Sequence, residues 1–538
     1  MNRPCTFLVP ALFVFVSWFN AAELVHAQDL KLRNVIDGEI KAAWQREKIT
    51  APAAIADDAT FLRRIYLDLI STIPTHDEAI AFLNDTDATK RDKLIAQLLD
   101  DPRFAAAQAI VWDQVLFGRN PPNSEATRKR DGFRAWLSNH FAKNEPYDRW
   151  VRSLLLAEEE GPELFYVQFQ NKPEDLTEAF SKAFLGTQLQ CARCHDHPYT
   201  PLTQKDFFGM TGFFVRLVVV DQGTTGEGNE KRKKFAIGEK STGDVLFAGN
   251  MKELKPGKKG EPVKPKFLAG DPLAEPEVPK DFKEPEIKSG TKTVPKPQFS
   301  RKEKLAEWAT AKENPFFAKA AVNRVWGQFM GRGIVHPIDN LGEDNKPAIP
   351  ALLETLTKEF IAHDFDMKWL IREIVSSQTY QLASTGSGKE ALPTWWERGR
   401  IRPLSAEEIQ NVLKVASGDT TLKPGESSEY FLRYFGEPTN GQGDFQGSLN
   451  EHLFLNNSDN IRKYIRRTKG NLAQTIIDSK EPWETRVDHM FVTVLTRKPR
   501  ESERAKFVAY LTADPKPESL VEEAIWVLMN MSEFRFNH

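Results

Sequence analysis

The spacing of apolar residues predicts a mainly helical chain. In FLRRIYLDLI, residues 61–70, apolar side chains recur every three or four positions, and residues 94–99 repeat this pattern. Residues 520–528 also place their apolar side chains on one face of a helix. A buried stripe at this spacing is typical of helices that pack against a core.

Capping boxes mark three of the predicted helix starts. In a capping box, a Ser or Thr side chain and a Glu three residues later satisfy the free N–H groups of the first turn. The pairs are Thr75 with Glu78, Ser300 with Glu303, and Ser405 with Glu408.

The pattern changes in the middle of the chain. Residues 216–249 hold short β-branched runs broken by glycine and charge, which predicts a hairpin or small sheet. The residues that follow are rich in Lys, Glu and Pro and predict an extended, partly mobile connector. We therefore predict a helical domain over 28–215, a β-hairpin-containing, Lys/Pro-rich linker over 216–299, and a second helical domain over 300–538.

Composition supports a globular protein with more than one domain. The chain has 538 residues, of which 40% are hydrophobic, and single cores rarely grow beyond roughly 250–300 residues. The formal net charge of -2 gives no electrostatic reason to expect nucleic acid or an anionic membrane surface as a partner.

The first 27 residues are typical of a signal peptide. Arg3 gives a basic start, the stretch from Phe7 to Phe19 is almost wholly apolar, and Ala27 closes a small-residue cleavage site. The apolar run is shorter than the roughly 20 residues that cross a bilayer. We expect an exported protein, periplasmic or at the cell surface, that begins near Gln28 and has no membrane span.

Loss of the signal peptide would remove Cys5 and leave only Cys191 and Cys194. With His195 these residues form C-x-x-C-H, the attachment sequence of a c-type haem. Two thiols at this spacing can add to the two vinyl groups of one porphyrin, and the adjacent imidazole can bind the iron. The motif predicts covalent haem c on Cys191 and Cys194, with His195 as the proximal ligand.

Two other interpretations of the motif stay open. The cysteines could form a local disulfide, or they could hold a metal ion together with His195 and His197, although structural zinc sites usually take their second ligand pair from a distant segment. If haem binds, Met210 is the nearest thioether that could serve as the distal ligand. A core methionine in an aromatic helix is the simpler interpretation of that residue.

Several longer stretches resemble one known family. The chain is similar to secreted planctomycete cytochrome-c-like proteins, whose two modules are the domains of unknown function fifteen-forty-nine and fifteen-fifty-three. The matching stretches are FLRRIYLDLISTIPT, FLGTQLQCARCHDHPYTPLTQKDFFGMTGFF, NPFFAKAAVNRVWGQFMGRGIVHPIDNLGEDN, LIREIVSSQTYQLAS, RPLSAEEI and LMNMSEFRFNH. The resemblance implies an extracytoplasmic protein with a cytochrome-like motif, and it implies no particular reaction.

Two functions from different classes follow. The first is an exported c-type haem protein for electron transfer or redox coupling, with a redox partner that the sequence does not name. The second is a non-haem extracytoplasmic module that binds a glycan or a protein, in which the motif forms a disulfide or a metal site. G-x-S-x-G, H-E-x-x-H and a phosphate-binding glycine loop do not occur in the sequence, so no catalytic motif names an enzyme activity.

Overall fold

The structure is a computed structural model that describes residues 31–198, 200–227, 231–247, 260–279, 281–285, 294–388, 392–418, 453 and 455–538. The predicted signal peptide, residues 1–27, lies outside the described residues.

Helices dominate the first part of the chain, as the apolar spacing predicts. They are α1 (Leu32–Arg46), α2 (Asp58–Ile70), α3 (His76–Asn84), α4 (Lys90–Asp100), α5 (Pro102–Phe117), α6 (Ser124–Thr127), α7 (Asp131–Ala142), α8 (Tyr147–Leu156), α9 (Glu163–Val167), α10 (Pro173–Phe180) and α11 (Gln204–Thr211). A π-helical turn (Ser181–Leu185) and a 3-10 turn (Gln190–Arg193) lie between α10 and α11.

Helices return after the β-rich segment. They are α12 (Arg301–Ala309), α13 (Phe317–Met330), α14 (Pro350–Ala362), α15 (Met367–Val375), α16 (Ala406–Ala416), α17 (Asp459–Ile465), α18 (Leu472–Asp478), α19 (Trp483–Leu495), α20 (Glu501–Leu511), α21 (Glu518–Asn530) and α22 (Ser532–Arg535). The prediction of a mainly α fold is confirmed.

The described strands form two-stranded antiparallel pairs. The predicted hairpin is confirmed: β1 (Leu217–Thr225) pairs with β2 (Arg232–Glu239), with a bulge after Asp221. The other pairs are β3 (Val245–Phe247) with β4 (Glu261–Val263), and β5 (Arg402–Pro403) with β6 (Phe536–Asn537). The last pair ties the C-terminus to the segment before α16.

Among the described residues, the buried hydrophobic side chains form two clusters. The larger one takes residues between Leu32 and Trp396, from both sides of the predicted linker, together with Val492, because α1 packs on α14 and α15. The smaller one joins residues 404–534 to Leu67 and Ile73. Packing therefore groups the helices differently from their order along the chain, and the boundaries 28–215, 216–299 and 300–538 stay a prediction.

Part of the linker predicted over 216–299 packs against the helices. The ring of Phe267 stacks between those of Phe213 and Trp308, with centroid distances of 4.7 and 4.8 Å. The carboxylate of Glu275 accepts from the buried guanidinium of Arg301 at 2.6 Å. One aromatic ring and one carboxylate thus help to fix this stretch, which its composition did not indicate.

Two of the three predicted capping boxes form completely. Thr75 with Glu78 and Ser405 with Glu408 close the starts of α3 and α16. Ser300 accepts from the amide of Glu303 at 3.0 Å, but its own hydroxyl donates to Glu239, which also accepts from the next two backbone amides. A distant carboxylate therefore replaces the local one at the start of α12.

None of the helices in the described ranges combines the length and the apolar character that crossing a membrane requires.

Candidate functional site

The C-x-x-C-H motif lies on a short turn that two buried side chains anchor to the hydrophobic core. The 3-10 turn Gln190–Arg193 begins after Leu189, and the amide of Ala192 donates to the Leu189 carbonyl at 3.0 Å. Leu189 and Ala192 are both completely buried. Since these two apolar side chains point into the larger cluster, the residues between and after them are left at the surface.

Polar contacts hold the turn between α10 and α11. The guanidinium of Arg193 donates to Asp175 at 2.9 Å and to Glu178 at 3.3 Å, both on α10. On the other side, the Asp196 carboxylate accepts from the amide of Gln204, the first residue of α11, at 2.9 Å. The Gln204 side chain donates in turn to the Arg193 carbonyl at 3.2 Å. The backbone of the motif is therefore fixed on both sides.

The three motif side chains face solvent. Cys191, Cys194 and His195 are exposed, and the two cysteines are free thiols in the structure. The Nδ1 atom of His195 lies 2.7 Å from the carbonyl oxygen of Asp196. A carbonyl oxygen only accepts, so Nδ1 carries the hydrogen of the neutral ring. The Nε2 lone pair of His195 is then available to a metal.

This donor set fits a covalently attached haem. Both thiols are accessible and free in the structure, and the adjacent imidazole has the tautomer in which Nε2 could bind iron. Metal-binding histidines commonly donate their other ring N–H to a carbonyl or a carboxylate, which orients the ring. Cys191 and Cys194 could therefore hold a macrocycle by two thioether bonds, and the Nε2 atom of His195 could bind its iron.

The arrangement gives the metal-site interpretation less support. In the part of the chain that the structure describes, no three or more His, Cys, Asp or Glu side chains come together in an arrangement that could hold a metal ion. The backbone amide of His197 donates to the Leu202 carbonyl at 2.8 Å, which closes the loop, and its side chain is half-buried. His197 as a metal ligand stays a prediction.

The structure does not bring Met210 to the exposed motif. Met210 lies on α11 and is 0% exposed within the larger hydrophobic cluster, whereas His195 is open to solvent. A thioether in this position contributes to the core, which is the simpler interpretation given above. Its role as the distal iron ligand stays a prediction.

Two sizeable cavities lie elsewhere, and sequence patterns gave no sign of either. One, of about 580 Å³, lies between the β1–β2 hairpin and helices α7 and α9, and Phe133, Glu163 and Lys233 are among its lining residues. The other, of about 300 Å³, is lined by the end of α13 and by residues 392–403. Each is assembled from segments that are far apart in sequence, so no local motif could reveal it.

Comparison with known proteins gives matches to two family models. PSCyt2, described as a protein of unknown function (DUF1549), matches residues 35–218. PSD1, also described as a protein of unknown function (DUF1553), matches residues 301–443. No curated protein and no solved structure matches the chain.

Proposed function

We propose that this chain, which belongs to the family of proteins that combine the PSCyt2 and PSD1 modules, is an exported c-type haem protein for electron transfer or redox coupling in the periplasm. The observation that carries the proposal is the geometry of His195, whose Nδ1–H is held by the Asp196 carbonyl beside two exposed thiols. A redox disulfide would not need the imidazole in this tautomer, and a zinc site would need further ligands, whereas no cluster of three or more His, Cys, Asp or Glu side chains that could hold a metal lies among the described residues.

Each residue of the motif has a defined task in this proposal. The Cys191 and Cys194 thiols would hold the haem by one thioether bond each, formed by addition of S–H across a vinyl group, so that no oxidant would be consumed and no group would leave. His195 would offer Nε2 to the iron, and the hydrogen bond to Asp196 would keep the ring oriented and raise its basicity. When bound, haem supplies one-electron redox chemistry.

The position of the turn suits exchange of electrons with another protein. Cys191, Cys194 and His195 are all exposed, so a partner could approach the attached group without rearrangement of the core. The contacts of Arg193 and Asp196 to the helices on either side fix the backbone that carries the thiols. Fixed ligands lower the reorganisation that a change of charge at the iron requires.

The test is covalent attachment. The full chain, including residues 1–27, is expressed in a host with haem-maturation machinery and recovered from the extracytoplasmic fraction. We expect a product whose mass, after denaturing extraction, exceeds that of the polypeptide by one haem. The control Cys191→Ser with Cys194→Ser should be exported at the polypeptide mass.

An exported, colourless product at the polypeptide mass with two titratable thiols would contradict the proposal. It would favour the non-haem binding module instead. A product that stays in the cytoplasm would contradict the expected export without bearing on the chemistry of the motif.

A further inference from the structure

The cavity of about 300 Å³ at the end of α13 is rich in arginine. Its lining includes Arg332, Arg398, Arg400 and Arg402, and among the described residues Glu397 is the one carboxylate that lines it. We call this space the arginine cavity. Its volume lies at the lower end of the roughly 300–1,000 Å³ that is usual for small-molecule sites.

One of the four guanidinium groups is already neutralised. Arg402 donates to Asp68 at 2.9 Å and to Glu408 at 2.5 Å, so its charge is balanced from outside the cavity. The Glu397 side chain is buried and accepts from the backbone amide of Leu392 at 3.3 Å. The balance of charge in the cavity therefore depends on the other arginines, chiefly Arg332 and Arg398.

Two of those arginines, Arg332 and Arg398, have no neighbouring carboxylate within ion-pair distance among the described residues. The side chains of Arg332 and Arg398 make no hydrogen bond or ion pair with the part of the chain that the structure describes. Arg400 donates to the backbone carbonyl of Gln328 at 2.6 Å, and its charge also interacts with the carboxylates of Asp68 and Glu408. Burial and the nearby Arg402 lower the pKa of Arg400 to about 10, so it stays charged at neutral pH.

Gly331 leaves space for the Arg400 side chain in the wall of the arginine cavity. Gly331, which ends α13, has φ of 80°, and a Cβ atom there would lie 2.6 Å from the Cδ atom of Arg400. A side chain at position 331 would push Arg400 out of the lining. Glycine thus serves both the left-handed turn and the approach of the guanidinium.

Apolar side chains form the rest of the wall. Leu392 is 58% exposed and Ile401 is 54% exposed, and both line the cavity. The buried indole of Trp396 lies beside them. Large apolar side chains that face water next to unbalanced positive charge favour a ligand that has both an anionic group and an apolar part.

We propose that the arginine cavity binds a small organic anion, a carboxylate or a phosphate monoester that is attached to an apolar body. The guanidinium groups of Arg332 and Arg398 receive the anionic group by charge-assisted hydrogen bonds, for which planar donors are well suited. Leu392 and Ile401 cover the apolar body. The site is separate from the C-x-x-C-H motif, so it does not depend on haem.

Calorimetric titration of the full exported chain tests the proposal. The probes are hexanoate, phenyl phosphate, inorganic phosphate and the neutral hexanamide. We expect saturable binding of hexanoate or phenyl phosphate at millimolar concentration or below. The tighter of the two identifies the anionic group. Binding of inorganic phosphate and of hexanamide should be at least tenfold weaker.

Variants locate the site. Arg332→Gln with Arg398→Gln should weaken binding at least tenfold without changing the melting temperature, because neither side chain has a partner within the described residues. The matched control Arg462→Gln removes an exposed charge on α17 and should leave binding unchanged. Cys191→Ser with Cys194→Ser should also leave it unchanged, so failure of the haem proposal and failure of this one are distinguishable.

Three results would overturn the proposal. One is the absence of saturable binding of both organic anions at millimolar concentration. Another is equal binding of hexanamide or of inorganic phosphate, which would remove the need for the charge or for the apolar body. The third is equal loss of affinity in the double variant and in Arg462→Gln.

Discussion

The Nδ1–H of His195 donates a hydrogen bond of 2.7 Å to the carbonyl oxygen of the next residue, Asp196. Because the acceptor is a backbone atom, substitution of the Asp196 side chain would not remove it. The Asp196 carboxylate instead accepts from the first amide of α11, which fixes the carbonyl that the imidazole uses. One residue thus sets both the position of the loop and the tautomer of the histidine.

His195→Ala should separate attachment of haem from ligation of its iron. The two thiols remain in the variant, so we expect haem content close to that of the wild type after denaturing extraction. The absorption and magnetic circular dichroism bands that report the axial nitrogen should change. His197→Ala should leave those bands in place, since the backbone of His197 closes the loop. Loss of the nitrogen signature in His197→Ala alone would show that the proximal ligand is assigned to the wrong residue.

Arg402→Gln should be among the most destabilising substitutions of a single polar residue. Arg402 is bound between Asp68 and Glu408, and Asp68 also accepts from the Tyr380 hydroxyl and from Asn537 at 2.8 Å each. Burial raises the pKa of Glu408, but Arg402 outweighs this and holds it below its usual value. Removal of the arginine would leave two buried carboxylates without their cation, which costs about 3–5 kcal/mol.

Urea unfolding at pH 7 measures this cost. The control Arg467→Gln breaks exposed ion pairs to Asp478 and Glu518 and should cost at most about 1 kcal/mol. Equal losses in the two variants would show that the buried network contributes no more than a surface pair.

His489 should make the fold sensitive to mild acid. Its ring stacks on that of His76 with centroids 3.9 Å apart, where α19 meets α3. Burial, followed by repulsion from His76, lowers the pKa of His489 from 6.5 to about 4. The folded-state pKa is below the unfolded one, so this contribution to stability is present above pH 6.5 and is lost as the pH falls towards 4.

The variant His489→Phe keeps an aromatic ring and cannot take up a proton. The free energy of unfolding of the wild type should decrease between pH 7 and pH 5. The decrease in His489→Phe should be smaller, by up to about 2 kcal/mol. His363→Phe, which replaces an exposed histidine stacked on Trp369, should behave as the wild type. Identical pH profiles for wild type and His489→Phe would disprove the effect.

The contribution of Glu163 to the stability of the fold should decrease with rising pH, opposite to that of His489. It lines the cavity beside the hairpin and is buried, and burial raises its pKa from 4.5 to about 7. Because the folded-state pKa is above the unfolded one, the proton contributes stability that is present below pH 4.5 and is lost as the pH rises through 7. Glu163→Gln should match the wild type at pH 4 and be more stable at pH 8, by at most about 3 kcal/mol.

Thermal unfolding at the two pH values checks this prediction. Glu313→Gln changes an exposed carboxyl and serves as the control, with no difference between pH 4 and pH 8 relative to the wild type. Equal stability of the wild type and Glu163→Gln at pH 8 would contradict the prediction, because it would mean that ionisation of the Glu163 carboxyl does not destabilise the fold.

Local features of the fold could be predicted because their causes are local. The start of α3 is set by Thr75 and Glu78, which are three residues apart, and the β1–β2 hairpin is set by β-branched runs between turn residues. The C-x-x-C-H motif is also local, since it consists of five consecutive residues, and the haem attachment that it indicates stays a prediction. These predictions required no knowledge of distant partners.

Long-range packing could not be predicted in the same way. Arg63 and Arg64 interrupt the apolar face of α2, yet both are buried because they donate to the carbonyls of Phe534 and Tyr380. Arg33 and Glu373 form an ion pair of 2.8 Å across 340 residues. In each case the partner is a group whose position only the complete fold determines.

The candidate site shows the same division. Sequence spacing predicted which residues form the motif, but not that Leu189 and Ala192 would be buried and would leave the thiols exposed. The arginine cavity combines residues 330–332 with residues 392–403. Neither segment alone has a pattern that indicates a binding site.

The absorption spectrum of the exported full chain, purified from a host that attaches haem c, tests the central claim most directly. The account predicts a Soret band that persists after denaturing extraction, with sharpened visible bands on reduction. A spectrum with protein absorption alone, from chain shown by its mass to be exported and free of haem, would contradict it.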